Sequence, residues 1–220
     1  AGGGFNAKVI NIDELYDQFS FGITQHPGSI RDFIRFASRQ FVRRPQYILI
    51  IGRGVTSIEY KQNEANPNMA KIEMVPTFGW PASDVQLACE PGTNVPLIPI
   101  GRISAINGTE IKNYLNKVKE YELIQATPSC SIGDREWMKR VIHVVGGATA
   151  DEDNDFTNYL NSYKDIIEDS LYGAYVETFR KTSSAAVEQA NGERIQQLIN
   201  GGVGLIGYFG HSSANTLAFN

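Results

Sequence analysis

Gly201-Gly202-Val203-Gly204-Leu205-Ile206-Gly207-Tyr208-Phe209-Gly210-His211-Ser212-Ser213 is the stretch on which the reading of the fold turns. An apolar run closing on Tyr208 and Phe209 predicts a buried strand, and it stops at a glycine followed by a histidine. In an open parallel α/β sheet, ligands and chemistry gather in the crevice at the carboxyl ends of the strands. An imidazole there titrates near neutrality, so it can take a proton from a nucleophile and return it. Gly210, without a Cβ, would let a substrate backbone or second reacting group come close. The plain alternative is a surface histidine that happens to follow a strand.

Working outward, strand and helix patterns alternate. Upstream, Ile195, Leu198 and Ile199 mark a helix that Gly201 ends. Strands are expected over residues 174–179 and 141–145, with a helix between them whose face is Phe156, Tyr159, Leu160, Tyr163, Ile166 and Ile167. Further back, residues 126–133 are rich in Thr, Pro, Ser and Gly and form the expected boundary. Before it, helical spacing marks Ile111 to Tyr121, Ile30 to Phe41 and Ile12 to Phe19, the last preceded by Asn11 with Glu14 in capping-box position. Tyr47-Ile48-Leu49-Ile50-Ile51 predicts a strand covered on both faces. Residues 59–71 have no period and predict a loop, residues 72–75 a short strand, and residues 96–100 a proline-tolerant edge strand. The expected fold is α/β, two small parallel-sheet lobes with flanking helices: residues 1–127, a boundary at 128–133, and a second lobe at 134–220 that is incomplete at its C-terminus.

Composition narrows the function. The 220 residues carry 20 Lys and Arg against 24 Asp and Glu, a formal charge of −4, and no basic stripe runs along the sequence to release counterions from phosphates, which disfavours a nucleic-acid partner. No apolar run reaches the ~20 residues of a membrane span. Two cysteines, Cys89 and Cys130, exclude a disulfide scaffold but leave one bridge open. Gly52-Arg53-Gly54 follows a strand, but Ser57 stands at the third glycine of a dinucleotide fingerprint, and a tight turn is the better reading.

Asp151, Asp153 and Asp155 alternate with Glu152 and Asn154 after Gly146-Gly147. Alternating oxygen ligands suit Ca²⁺, yet Phe156 and Ser162 occupy the glycine and glutamate positions of an EF-hand, and a solvated, helix-capping acidic loop is the better reading of residues 151–155. His143, inside an apolar strand, reads as a core histidine, and His26, beside Pro27, belongs to a turn.

Taken together, Asp13-Glu14-Leu15-Tyr16-Asp17-Gln18-Phe19-Ser20-Phe21-Gly22, Ile30-Arg31-Asp32-Phe33, the run from Tyr47 to Gly54, Pro76-Thr77-Phe78-Gly79 with Ser83-Asp84, Ile100-Gly101-Arg102-Ile103 and the strand into Gly210-His211 closely resemble the gingipain-type cysteine peptidases of family C25, relatives of caspases. The chain looks most like the sortase-like members of the type IX secretion system in Bacteroidetes. The resemblance implies a caspase-like catalytic unit in which His211 is the general base, with the backbone around Gly210 and Ser212 in the oxyanion environment. It places the nucleophilic cysteine beyond Asn220, so that these residues alone would be inactive. It implies no required cofactor, allows a structural Ca²⁺ at Asp151 and Asp153, and makes Asp151, Asp153 and Asp155 candidates for substrate binding.

A polypeptide substrate, other secretion-system proteins as partners and an exported, cell-envelope location follow from the same resemblance. Val145 stands where gingipains carry an acidic residue, which leaves the group that orients His211 unassigned, and Ser212 replaces the last glycine of their Gly-His-Gly. The rival reading is a non-catalytic α/β interaction or scaffold domain of the secretion apparatus.

Overall fold

The computed structural model describes residues 4–80, 82–180 and 189–211, and side chains at all of these except 70, 189 and 190. It divides into two compact units, Ala1–Ala126 and Thr127–Asn220.

In the first unit, helices α1 (Ile12–Phe19) and α2 (Gly28–Gln40) pack together. Asn11 caps α1 by accepting the Asp13 N–H. His26 belongs to the turn before α2, where its Nδ1 accepts the Gly28 N–H at 3.1 Å. Strands β1 (Ile48–Ile51) and β2 (Ile100–Ile103) pair in parallel with Ile48 opposite Ile100. Leu15, Ile30, Ile34, Ile50, Leu87 and Ile98 form the core.

The side chains of β1 alternate as a pleated strand must, so Ile50 is buried while Leu49 and Ile51 are exposed. The expectation of cover on both faces is therefore corrected for the described unit. Strand β2 starts at Ile100 rather than at residue 96. Pro96 and Pro99 have no N–H to donate, and the ladder begins where Ile48 N–H meets the Pro99 carbonyl at 2.9 Å.

Residues 59–71 are not a plain loop. They hold two short helices, α3 (Ser57–Gln62), capped by Thr56, and α4 (Met69–Ile72). Nor do residues 72–75 form a strand. The N–H groups of Met74 and Val75 both donate to the Arg53 carbonyl, which folds this segment against the end of β1.

The turn at Gly52-Arg53-Gly54 is filled by protein. A Cβ on Gly54 would strike the Val75 carbonyl, and the Val55 N–H donates to the buried Glu73 carboxylate. Burial pushes the Glu73 carboxyl up, against the Val55 bond and the Arg102 charge. A carboxylate thus already occupies the place a phosphate would need.

Arg102, on β2, is the hub of this unit. Its Nε and Nη2 fork onto Asp84 at 2.7 Å each, Nη1 donates to the Gly52 and Val75 carbonyls, and Nη2 reaches the Pro76 carbonyl at 3.1 Å. Thr77 Oγ1 also donates to Asp84. Burial works against the charged form of Asp84, but the guanidinium and the Thr77 hydroxyl outweigh it and hold the carboxyl below its ordinary range. Separate segments that carry the family resemblance thus meet at one side chain. The unit ends with α5 (Gly108–Ala126), none of whose residues is buried.

In the second unit, β3 (Arg140–Gly146) is the centre of a parallel sheet ordered β4–β3–β5, with β4 (Tyr175–Arg180) and β5 (Leu205–Gly210) at its sides. All of β3 after Arg140 is buried. Helix α6 (Ala150–Ile167) covers the face of His143, Gly207 and Phe209, with Leu160 3.9 Å from a Cβ built on Gly207 and Phe156 4.9 Å from the Phe209 ring. Helix α7 (Gln189–Asn200) covers the other face, where Leu198 packs with Ile142, Val144 and Phe179. A run apolar at every position is what a central parallel strand needs.

His143 is 2% exposed, and its Nδ1 and the Thr178 hydroxyl beside it in register are buried without a hydrogen-bond partner among the described residues. Burial, and then the Lys164 charge, holds its imidazole below the ordinary range. Among the described residues, no helix is long and apolar enough to cross a membrane.

Candidate active site at the carboxyl end of the second sheet

His211 follows β5 directly. Its backbone N–H donates to the Gly146 carbonyl at 2.8 Å, so the ladder to β3 extends through it and fixes where its side chain starts. The Tyr208 hydroxyl donates to the His211 carbonyl. The imidazole lies 5.9 Å, ring centre to ring centre, from Phe156 of α6, and its side chain is 55% exposed.

Two glycines set this end of the sheet. A Cβ on Gly210 would lie 2.6 Å from Gly146 Cα and 2.7 Å from its carbonyl carbon, and one on Gly146 would collide with the Tyr208 ring. What the missing Cβ of Gly210 admits here is the neighbouring strand. Alternate residues of a parallel strand turn their backbone groups to opposite sides. Because the His211 N–H faces β3, that of Gly210 faces the other edge of β5, where no strand pairs among the described residues. Ser212, the other expected oxyanion residue, lies outside the described residues.

The residues expected as an acidic loop are helix. Thr149 Oγ1 accepts the Glu152 N–H and starts α6, which places Asp151, Glu152 and Asp153 in its first turn. Asp153 Oδ1 accepts the Gly147 N–H at 2.8 Å, tying the helix to the turn after β3, while Asp151 and Asp155 are exposed. Among the described residues, no group of three or more His, Cys, Asp or Glu side chains is gathered to hold a metal ion. Asp153, one of the two residues expected at a Ca²⁺ site, uses its Oδ1 to accept the Gly147 N–H.

Glu152 is the residue that sequence reasoning passed over. Its Oε2 accepts the Ala148 N–H at 2.9 Å and lies 3.2 Å from His211 Nε2. The Ala148 bond, and then His211, hold its carboxyl below the ordinary carboxylate range against some desolvation. An ionised carboxylate only accepts, so the proton sits on Nε2 and Nδ1 is left as the basic nitrogen, a tautomer assigned from the partner. The signal was present in the sequence. Thr149 and Glu152 have capping-box spacing, which aims a carboxylate back toward the start of the helix, and the helix starts beside the end of β5.

Both cysteines are free thiols, which closes the option of a bridge between them. Cys89 is buried in the first unit, and its Sγ donates to the Val85 carbonyl at 3.2 Å. Cys130 is exposed and precedes the segment that leads into the amino end of β3, whereas His211 leaves β5 at the carboxyl end. Among the described residues no Cys–His pair is formed.

Comparison with known proteins agrees with this architecture. No curated protein and no solved structure matches the chain. The sequence model described as peptidase family C25, a family of cysteine peptidases whose substrates are polypeptides, matches residues 1–220 from end to end. With the match covering the whole of residues 1–220, the chain belongs to peptidase family C25.

Proposed function

We propose that the chain is the histidine-bearing part of a cysteine endopeptidase, or of a sortase-like transpeptidase, exported to the cell envelope. In this reading His211 is the general base and Glu152 its positioning residue. The observation that carries it is the 3.2 Å contact between Glu152 and His211 at the carboxyl end of the sheet. The thiol comes from a cysteine outside residues 1–220. Support for that comes from the surroundings of Cys89, buried in the first unit, and of Cys130, at the amino side of the second sheet.

His211 Nδ1 takes the thiol proton, and the thiolate attacks the scissile carbonyl carbon. The carbonyl electrons move to oxygen, where the outward-facing Gly210 N–H can donate to the oxyanion. Collapse breaks the C–N bond as the imidazolium returns its proton to the leaving amine, which leaves a thioester on the cysteine. Water gives hydrolysis and an amine gives transpeptidation, with His211 again accepting the proton from the incoming nucleophile. In the same reading Asp151 and Asp155, which are exposed on the first turns of α6, meet a basic group of the substrate. Service in type IX secretion rests on the motif resemblance.

The test is turnover by the protein extended past Asn220. His211→Ala should lower kcat by about 10²–10⁴ with an unchanged circular dichroism spectrum. Unaltered turnover would remove His211 as the base. The rival reading, a domain kept for interaction alone, draws on the lack of a Cys–His pair among the described residues. It predicts no turnover from the extended protein at all.

A further inference from the structure

The second unit carries another cavity, at the opposite end of its sheet from His211. Its volume is about 850 Å³, within the range of ligand sites, and it opens where Arg140 begins β3, Tyr175 begins β4 and Gly201 follows α7. Residues 127–220 contain seven Lys and Arg and twelve Asp and Glu. Four of those cations, Arg135, Lys139, Arg140 and Arg194, line this one cavity, against a single carboxylate, Glu136. An acidic unit has thus concentrated its positive charge in one concave place. The carboxylates in the first turn of α6, Asp151, Glu152 and Asp153, stand at the other end of the sheet.

The fold fixes three of the four cations. Arg140 Nη1 donates to the Gly201 and Gly202 carbonyls just past the end of α7. Lys139 donates to the Tyr172 carbonyl, 3.9 Å from the centre of the Tyr172 ring. Arg194 forks onto Glu177 at 2.9 Å for both bonds. Arg135 differs, because the one hydrogen bond of its side chain among the described residues is a 3.4 Å contact from Nε to the Ser131 carbonyl. Its two terminal nitrogens keep their donors, arranged to receive a carboxylate side-on. Around it the walls are apolar: Ile132 is 76% exposed, Tyr175 is 64% exposed, and Met138 and Leu198 lie behind them. One unspent guanidinium over an apolar floor suits a single carboxylate with a hydrophobic neighbour, not a row of phosphates.

We propose that this cavity docks an acidic peptide segment, with Arg135 receiving a carboxylate and an aromatic or aliphatic side chain lying against Ile132 and Tyr175. Electrostatic docking of this kind sets which partner approaches and how fast. The proposal is independent of the chemistry at His211, because binding is read without turnover.

The probe is a fluorescein-labelled pentapeptide with two glutamates on each side of a phenylalanine, titrated with the protein and followed by fluorescence anisotropy. It should bind, and its counterpart with lysines in place of the glutamates should not. Arg135→Glu should weaken binding about tenfold or more. Arg135→Gln should weaken it less, and raising NaCl from 50 to 300 mM should weaken it for the unaltered protein. Arg135 is exposed, so both variants should keep the parent circular dichroism spectrum. Three results would each overturn the proposal: no binding of the acidic peptide at millimolar protein, equal binding by Arg135→Glu and the parent, or tighter binding of a 12-nucleotide single strand than of the peptide.

Discussion

Arg102 offers the sharpest test of what holds the first unit together. Its side chain is 10% exposed and that of Asp84 23%. Replacing it by alanine takes five donated hydrogen bonds from Asp84 and from the Gly52, Val75 and Pro76 carbonyls, and it strands a carboxylate that burial already disfavours. Breaking a buried pair from one side costs about 3–5 kcal/mol, and the residual exposure of Asp84 lets water take part of the load, so Arg102→Ala should cost about 3 kcal/mol. Asp84→Ala should cost less, because the arginine keeps its carbonyls.

The Arg102→Ala/Asp84→Ala double variant should cost less than the two single losses summed, giving a coupling of about 1–3 kcal/mol in a cycle of urea denaturations. The pH dependence has a definite sign. Asp84 is held below its unfolded value of about 3.9, so its contribution is complete above that pH and is lost as pH falls through the folded value. Arg102→Ala should remove that acid-side loss. A cost under about 1 kcal/mol for Arg102→Ala, or strict additivity across the cycle, would refute the hub.

Other expectations concern the second unit. Glu152→Gln keeps an oxygen for the Ala148 N–H but removes the charge facing His211. In the extended protein, kcat should fall by less than with His211→Ala at unchanged KM, and an equal fall in both variants would count against a positioning role. Gly210→Ala puts a methyl 2.6 Å from Gly146 Cα and should cost about 1–3 kcal/mol in thermal or urea unfolding, and a neutral result would mean the strand ends are looser than described. His143→Leu removes a buried nitrogen that has no partner among the described residues and should raise stability by about 1 kcal/mol. Because His143 is held below its unfolded value of about 6.5 by burial and Lys164, with Glu168 opposing, the parent should lose stability as pH falls below that value. The leucine variant should lose the slope, and an identical pH profile for the two proteins would show that His143 does not carry it.

Much of this was legible in the sequence, for reasons that particular residues make plain. Strand β3 announced itself because a central parallel strand must be apolar on both faces. Strand β1 carried the same signal, yet in the described unit only one of its faces is covered. Pattern reports what a residue can bury, and not what arrives to bury it. Helix α3 has no buried residue, so its one readable mark was the Thr56 cap. The motif around Arg102 was visible as separate segments, but its cause was not, since its partners lie 18 to 50 residues away along the chain. Glu152 was obscured by the aspartates around it. Their regular alternation drew the eye to metal chemistry, while the spacing from Thr149 was the informative interval.

Glu152 has two obligations, one to the Ala148 N–H at the start of α6 and one to the imidazole of His211. Aligning the histidine and winding the first turn of that helix are therefore the same event. When the turn frays, the imidazole loses its anchor at that instant, so the two should share one opening rate in hydrogen exchange. A conformer with an unwound helix start should lose both contacts of Glu152 together, so the end of β5 and the start of α6 are expected to open as one unit.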